Sequence, residues 1–312
     1  NWQVNFLPGI KGQRHNWQQT RHDHIDTCTL FSLMPTQVAY LGPKGTYAEK
    51  AACALAKLES LEETEFLPLP GLRSVIEYVA NKHCEAAVVP IENSVEGGVT
   101  ATLDGLWGNP NLFIRRALVI PIRHALISSG NIQEISEVLS HPQALAQCSG
   151  WLNSHLPNAI QLPTNSTSEA VRMVQGSKFR AAIGPRLSSS FKGLQELAYP
   201  INDVVGNRTR FVLLENKENN LEGEITSLAF SLKSNTPGSL LKALNCIAGI
   251  GLNMSRIESR PSKRELGEYV FFIDIELKEN CNNINNKLKD LLKPFCEHVV
   301  NFGSYLSSEI EL

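Results

Sequence analysis

The residues best placed to do chemistry in this chain are uncharged hydrogen-bond donors in short motifs, and one threonine set between two arginines. Asn93 and Ser94 lie in Pro90-Ile91-Glu92-Asn93-Ser94-Val95-Glu96-Gly97-Gly98. Ser140 opens Ser140-His141-Pro142-Gln143, with Gln147 shortly after it, and Thr209 is the centre of Asn207-Arg208-Thr209-Arg210-Phe211. Preorganised neutral dipoles favour negative charge as it develops on an oxygen. A guanidinium matches a carboxylate with two parallel hydrogen bonds, so Arg208 or Arg210 could bind one. Side chains alternate along a strand, so in an extended segment both arginines would face away from Thr209. Gly42, Gly45, Gly97 and Gly98 allow backbone N–H groups to approach an anion, and the helices beginning after them add positive dipole ends. Taken singly, each reads as a plain turn residue. Thr46 and Ser166-Thr167-Ser168 could join such a site or simply cap helices.

Composition narrows the field. The 312 residues carry 29 basic and 31 acidic side chains, a net charge of −2. A nucleic-acid binder would need a basic surplus. No apolar run approaches the roughly 20 residues of a membrane span, and no secretory apolar segment opens the chain. A cytoplasmic location is therefore expected. The cysteines, at 28, 53, 84, 148, 246, 281 and 296, form no CxxC pair. They read as isolated reduced thiols with packing roles. No His/Cys ligand spacing is present, so neither a metal nor a cofactor is expected.

The elements that must position these residues follow from periodicity. Residues 1–36 lack it and read as a leader, with Met34 just ahead of the first strand. From Val38 the pattern is α/β: a strand at 38–41, a turn at Gly42–Thr46, and a helix over 47–61. A helix at 72–81 precedes a strand at 86–89, and a helix lies near 99–107. A strand is expected over 118–127 and another at 138–140. Helices follow at 144–155 and 167–175, then a strand at 181–183. Strand–loop–helix repetition implies parallel sheets covered by helices. Ligands then sit beyond the carboxyl ends of the strands, so the loops at 42–46, 90–98 and 140–143 are expected to share one cleft. Glu215–Glu224 has the composition of a linker. After it the order strand 225–232, helix 237–249, strand 252–260, strand 267–277, helix 283–296, strand 298–305 is βαββαβ, the ferredoxin-like arrangement.

These motifs, with Gly42-Pro43-Lys44-Gly45-Thr46-Tyr47 ahead of them, resemble the signatures of the prephenate dehydratases, in family order. Thr236-Pro237-Gly238-Ser239-Leu240 and Ile257-Glu258-Ser259-Arg260-Pro261 are similar to the ACT regulatory domain of the same family. The resemblance runs from Val38 to about Tyr305. It implies a two-lobed catalytic region over 37–214, similar to type II periplasmic binding proteins. One lobe would hold 38–114 with a return near 195–214, the other 115–194. A linker at 215–224 and an ACT domain at 225–306 would follow.

The implied reaction is decarboxylative dehydration of prephenate to phenylpyruvate, which requires no metal, nucleophile or redox cofactor. Thr209 is the expected catalytic residue, its hydroxyl assisting the departing ring hydroxyl. Substrate binding is expected of Asn93, Ser94, Ser140, Gln147, Thr46, Gly97, Gly98, Ser166, Thr167, Arg208 and Arg210. Neutral donors suit the step, since a cation clamped on the departing carboxylate would slow its loss. Glu92 and Glu96 are a poor acid–base pair here, because two more negative charges oppose a dianion unless they face away. His141 reads as a loop-shaping residue. L-Phenylalanine is the expected effector, held by Pro237, Gly238, Ser239, Leu240, Asn253, Glu258, Ser259, Arg260 and Pro261. The family commonly has Ala where Ser239 stands. A homodimer or tetramer is expected. The alternatives are an arogenate dehydratase and a non-enzymatic solute-binding protein of the same fold.

Overall fold

The computed structural model describes residues 35–186, 192–218, 223–277 and 284–311. The expected leader up to Met34, the middle of the expected linker, Cys28 and Cys281 lie outside the described residues. The first lobe runs β1 (Gln37–Leu41), α1 (Tyr47–Leu58), β2 (Glu65–Leu69), α2 (Leu72–Ala80), β3 (Ala86–Asn93), β4 (Gly97–Gly98), α3 (Thr100–Gly108) and β5 (Phe113–Pro121). The second runs β6 (Ala125–Ser128), β7 (Glu137–Ser140), α4 (Pro142–Gln147), α5 (Ser149–His155), β8 (Ile160–Pro163), α6 (Thr167–Met173), β9 (Arg180–Gly184) and β10 (Gln195–Ala198). The chain then returns to the first lobe as β11 (Arg208–Glu215). The C-terminal unit is β12 (Ile225–Leu232), α7 (Ser239–Ala248), β13 (Asn253–Pro261), β14 (Tyr269–Glu276), α8 (Ile284–Leu292) and β15 (Cys296–Glu309). Its order is the βαββαβ expected. None of the described helices is long and apolar enough to cross a membrane.

The lobe boundaries differ from expectation. All of β5 belongs to the first lobe, between β11 and β15, while β10 pairs with β6 in the second. The single strand expected over 118–127 is two strands, because the chain leaves one sheet after Pro121 and enters the other at Ala125. The helix expected over 144–155 is likewise broken at Cys148. The lobes are therefore joined by two crossings, one at 122–124 and one at 199–207. Ile122 N–H bonds the Asn207 carbonyl at 2.8 Å, and Ile201 N–H bonds the His124 carbonyl at 3.0 Å, so the crossings are zipped together.

Helix α1 shows how pattern becomes packing. Ala48, Ala51, Ala52 and Leu55 fall on one face at helical spacing and are buried against Val38, Tyr40, Val88 and Phe211. The C-terminal unit does not hang from a tether. Its strand β15 pairs with β12 through Tyr305, then continues alongside β5, Leu306–Glu309 lying parallel to Arg116–Val119. Among the described residues this makes one sheet of ten strands. One buried cluster joins Val75, Ile76, Leu103 and Leu106 of the first lobe to Phe272, Phe302 and Tyr305 of the C-terminal unit.

Candidate active site

The register of β11 against β3 builds the centre of the site. Thr209 lies opposite Asn93, and Arg210 opposite Glu92. Since faces alternate along a strand, Thr209 and Asn93 share one face of the sheet while Arg210 and Glu92 share the other. Thr209 and Asn93 are both buried, with 8% and 7% of their surface exposed. The Asn93 amide nitrogen donates to Thr209 Oγ1 at 2.9 Å and to Asn207 Oδ1 at 2.9 Å. Its carbonyl oxygen accepts from the backbone N–H groups of Val95 and Glu96. Asn93 therefore has its hydrogen-bonding capacity committed to the protein. Thr209 Oγ1 accepts a hydrogen bond from Asn93, which leaves its own O–H to be donated elsewhere.

The cluster extends into the second lobe through two residues the sequence reading did not single out. Asn207 Nδ2 donates to Gln147 Oε1 at 3.1 Å, and His124 Nε2 lies 3.2 Å from the same oxygen. Gln147 Nε2 donates to Glu96 Oε1 at 3.0 Å, bridging the lobes. Burial lowers the proton affinity of His124 below the ordinary imidazole value, against an opposing effect of Gln147. His124 is thus neutral near pH 7 and donates from Nε2. Asn207 opens the Asn207-Arg208-Thr209-Arg210-Phe211 motif. His124 has no local signal in the sequence.

The structure redistributes several expected roles. Ser140 is fully buried and gives its proton to the Ile183 carbonyl at 2.7 Å, holding the second sheet. Ser94 accepts from the Arg208 N–H at 2.9 Å and fixes the end of β11. Arg208 is not a carboxylate clamp in the cleft, since it pairs with Glu309 on the C-terminal strand. Nor is Arg210, which is committed to Glu92 at 2.9 Å and Asp274 at 2.5 Å on the far face. Gly97 has φ +80° and turns the β3–β4 hairpin. At Gly98 the space a side chain would need holds the Glu258 carboxylate of the C-terminal unit, so that gap serves the domain junction and not a substrate anion.

Thr46 and Ser166 are N-caps, accepting from the N–H groups of Glu49 and Glu169, and Thr167 opens α6. His141 caps α4. Gly45, at φ +86°, faces Ser168 of the other lobe, 3.2 Å separating Ser168 Oγ from where a side chain at 45 would begin. That Ser168 hydroxyl is buried and has no hydrogen-bond partner. It is an unused donor where the N-terminus of α1 meets the second lobe.

The expected effector residues divide between the start of α7 and strand β13. Gly238, at φ +82°, caps α7, flanked by Pro237 and by Ser239, whose hydroxyl lies 2.8 Å from Thr236 Oγ1. Leu240 packs into the core of the C-terminal unit, and Asn253 donates to Glu276. On β13, Glu258 pairs with Arg256 at 2.7 Å and Arg260 lies 3.5 Å from Asp104 of α3. Ser259 and Pro261 are exposed. Glu258 and Arg260 thus face the first lobe, and Ser259 does not share that face. Among the described thiols, burial raises Cys53 and Cys246 above the ordinary range, pushes Cys84 up to about 11, and pushes Cys148 and Cys296 up to about 12, which disfavours the nucleophilic thiolate.

The family model described as prephenate dehydratase matches residues 38–219. A prephenate dehydratase of Lactococcus lactis subsp. cremoris is 36% identical over 259 residues, covering 81% of this chain and 89% of its own. That of Methanocaldococcus jannaschii is 36% identical over 271 residues, covering 85% and 95%. The crystal structure of the Arthrobacter aurescens prephenate dehydratase in complex with L-Phe superposes with a TM-score of 0.77 at 33% identity. It covers 87% of this chain and 90% of that one.

Proposed function

The chain belongs to the prephenate dehydratase family, and from that premise we propose that the Thr209–Asn93–Asn207–Gln147 cluster converts prephenate to phenylpyruvate, carbon dioxide and water. The bond between the ring and its carboxylate breaks, and the electron pair moves through the ring. The carbon–oxygen bond to the ring hydroxyl then breaks, and the oxygen takes up one proton and leaves as water. Aromatisation drives the step. What the protein must supply is a hydrogen bond that strengthens as charge grows on the departing oxygen. The observation that carries this reading is the 2.9 Å bond from Asn93 Nδ2 to Thr209 Oγ1. It orients the hydroxyl with its lone pair inward, so the O–H is the group presented to the substrate. Threonine is too weak an acid to ionise first, so the hydroxyl acts by hydrogen bonding in the transition state.

The carboxylate that stays on the product needs a seat of its own. The buried, unpartnered Ser168 hydroxyl beside Gly45, at the N-terminus of α1, supports one there. A helix N-terminus favours an anion. The test is direct. Incubation with prephenate should yield phenylpyruvate, measured by its absorbance in alkali. Parallel incubation with arogenate should give phenylalanine at a much lower kcat/KM. Absence of turnover on prephenate, or faster turnover of arogenate, would refute the assignment. The reading carries a cytoplasmic compartment with it.

L-Phenylalanine is the effector on this reading, and the C-terminal unit is the ACT sensor. The βαββαβ order and the L-Phe complex of the Arthrobacter relative support it. Edge strand β13 exposes Ile257, and Tyr269 of β14, opposite Pro261, is exposed too, which fits a homo-oligomer. Added phenylalanine is expected to depress the steady-state rate of the full chain. A rate that stays flat up to saturating phenylalanine would remove the sensor from the account. The full chain is needed, because cutting after Leu214 would also remove β15 from the first lobe's sheet.

A further inference from the structure

We infer that His124 is a positioning residue for this reaction, acting through the side-chain amide of Gln147. The inference rests on the proposed site and extends it to the crossing between the lobes. His124 is 4% exposed and lies on the outgoing crossing. Its backbone is fixed on both sides: the N–H donates to Asn202 Oδ1 at 2.6 Å, and the carbonyl accepts from Ile201. Next to it, Tyr47 donates its hydroxyl proton to the Arg123 carbonyl at 2.5 Å and accepts from the Arg123 N–H at 3.1 Å. The Tyr47 and His124 rings meet in a T-shaped arrangement at a centroid distance of 6.2 Å. On this anchored backbone the imidazole turns Nε2 toward Gln147.

An amide side chain has two faces that differ chemically but hardly in shape. Left alone, Gln147 could turn its oxygen toward a departing hydroxyl and repel it. Two donors on Oε1, one from each crossing, prevent that: His124 Nε2 at 3.2 Å and Asn207 Nδ2 at 3.1 Å. The amino group is thereby the part turned toward Glu96. Nδ1 of His124 is buried without a partner. A buried polar atom with no partner costs stability, so an apolar side chain would serve the fold better. What histidine adds is the donor at Nε2.

The test is a set of kinetic variants of the full chain: His124→Leu, His124→Gln, Gln147→Leu and the His124→Leu/Gln147→Leu double. His124→Leu should lower kcat roughly 10- to 100-fold, the scale of an ångström-size misplacement, and change KM less. His124→Gln carries an amide N–H near the position of Nε2 and should recover most of the rate. In the double variant His124→Leu should add no loss to that of Gln147→Leu, because residues acting through one contact are not additive. Losses that multiply, or a His124→Gln variant as slow as His124→Leu with both folded, would overturn the inference and leave the site standing. Full activity in Gln147→Leu would overturn the place of Gln147 in the site and this inference with it. Should His124→Leu not fold, His124→Asn, whose shorter amide does not reach Oε1, supplies the contrast with His124→Gln.

Discussion

Thr209→Ala is expected to lower kcat by about 10²–10⁴-fold, equivalent to roughly 3–5 kcal/mol of transition-state stabilisation, with KM within a few-fold. The variant removes the hydroxyl that Asn93 orients, and little else. Asn93 Nδ2 keeps its bond to Asn207 and a longer one to the Arg208 carbonyl at 3.3 Å, so it is not stranded. The strand pairing of β11 with β3 and β5 uses backbone groups and survives. Equal falls in kcat and kcat/KM are the mark of an interaction made only in the transition state. Thr209→Ser keeps the hydroxyl and should retain much of the rate. Steady-state kinetics on folded variants, checked by circular dichroism, decide it. An alanine variant turning over at the native rate would remove Thr209 from the mechanism.

What could be read from the sequence, and what could not, divides along physical lines. The motif loops at 42–46, 90–98 and 140–143 each follow a strand, and that pointed to a shared cleft and to Asn93, whereas Gln147 and Thr209 were expected there through the family resemblance. The alternation that turned Arg208 and Arg210 away from Thr209 was also legible, since it needs only an extended backbone. What those arginines meet instead was not, because Glu309 and Asp274 come from the C-terminal unit. Strand β15 was expected to end at Tyr305 and runs to Glu309. Its last residues, Leu-Ser-Ser-Glu, carry no apolar alternation, because a sheet edge in the first lobe defines them. Strands β2 and β8 escaped notice for a related reason. Both are sheet edges, short and proline-bearing, and proline is tolerated at such edges. The start of β5 was hidden by Arg115 and Arg116, which interrupt its apolar run and pair with Glu59 at the end of α1. His124 was invisible for the opposite reason: a lone histidine between two strands has no periodicity to betray it.

Asp274→Ala is expected to cost about 3–5 kcal/mol of stability, the usual penalty for removing one member of a buried ion pair, and to lower Tm by on the order of 10 °C. Asp274 is 2% exposed at its side chain and Arg210 13%. Burial disfavours the Arg210 charge, but Asp274 above all outweighs it and holds the guanidinium's proton affinity above its ordinary range. The other Asp274 oxygen accepts from Ser227 at 2.6 Å, and Ser227 meets the buried Tyr305 hydroxyl, also at 2.6 Å. Alanine would leave Arg210 with Glu92 alone and take a partner from Ser227. Asp274→Asn keeps an acceptor for Ser227 and should lose less. Arg264 forms solvent-exposed pairs with Glu268 and Glu297, and solvent screens such pairs, so Arg264→Ala should leave Tm unchanged. The site of the loss matters as much as its size. Arg210 and Glu92 are the immediate chain neighbours of Thr209 and Asn93, while Asp274 belongs to the C-terminal unit. With β15 and the core around Tyr305 shared as well, the first lobe and the C-terminal unit should unfold together. A calorimetric trace of Asp274→Ala with the native Tm would refute the ion-pair argument. One in which the C-terminal unit melts well before the first lobe would refute the shared core.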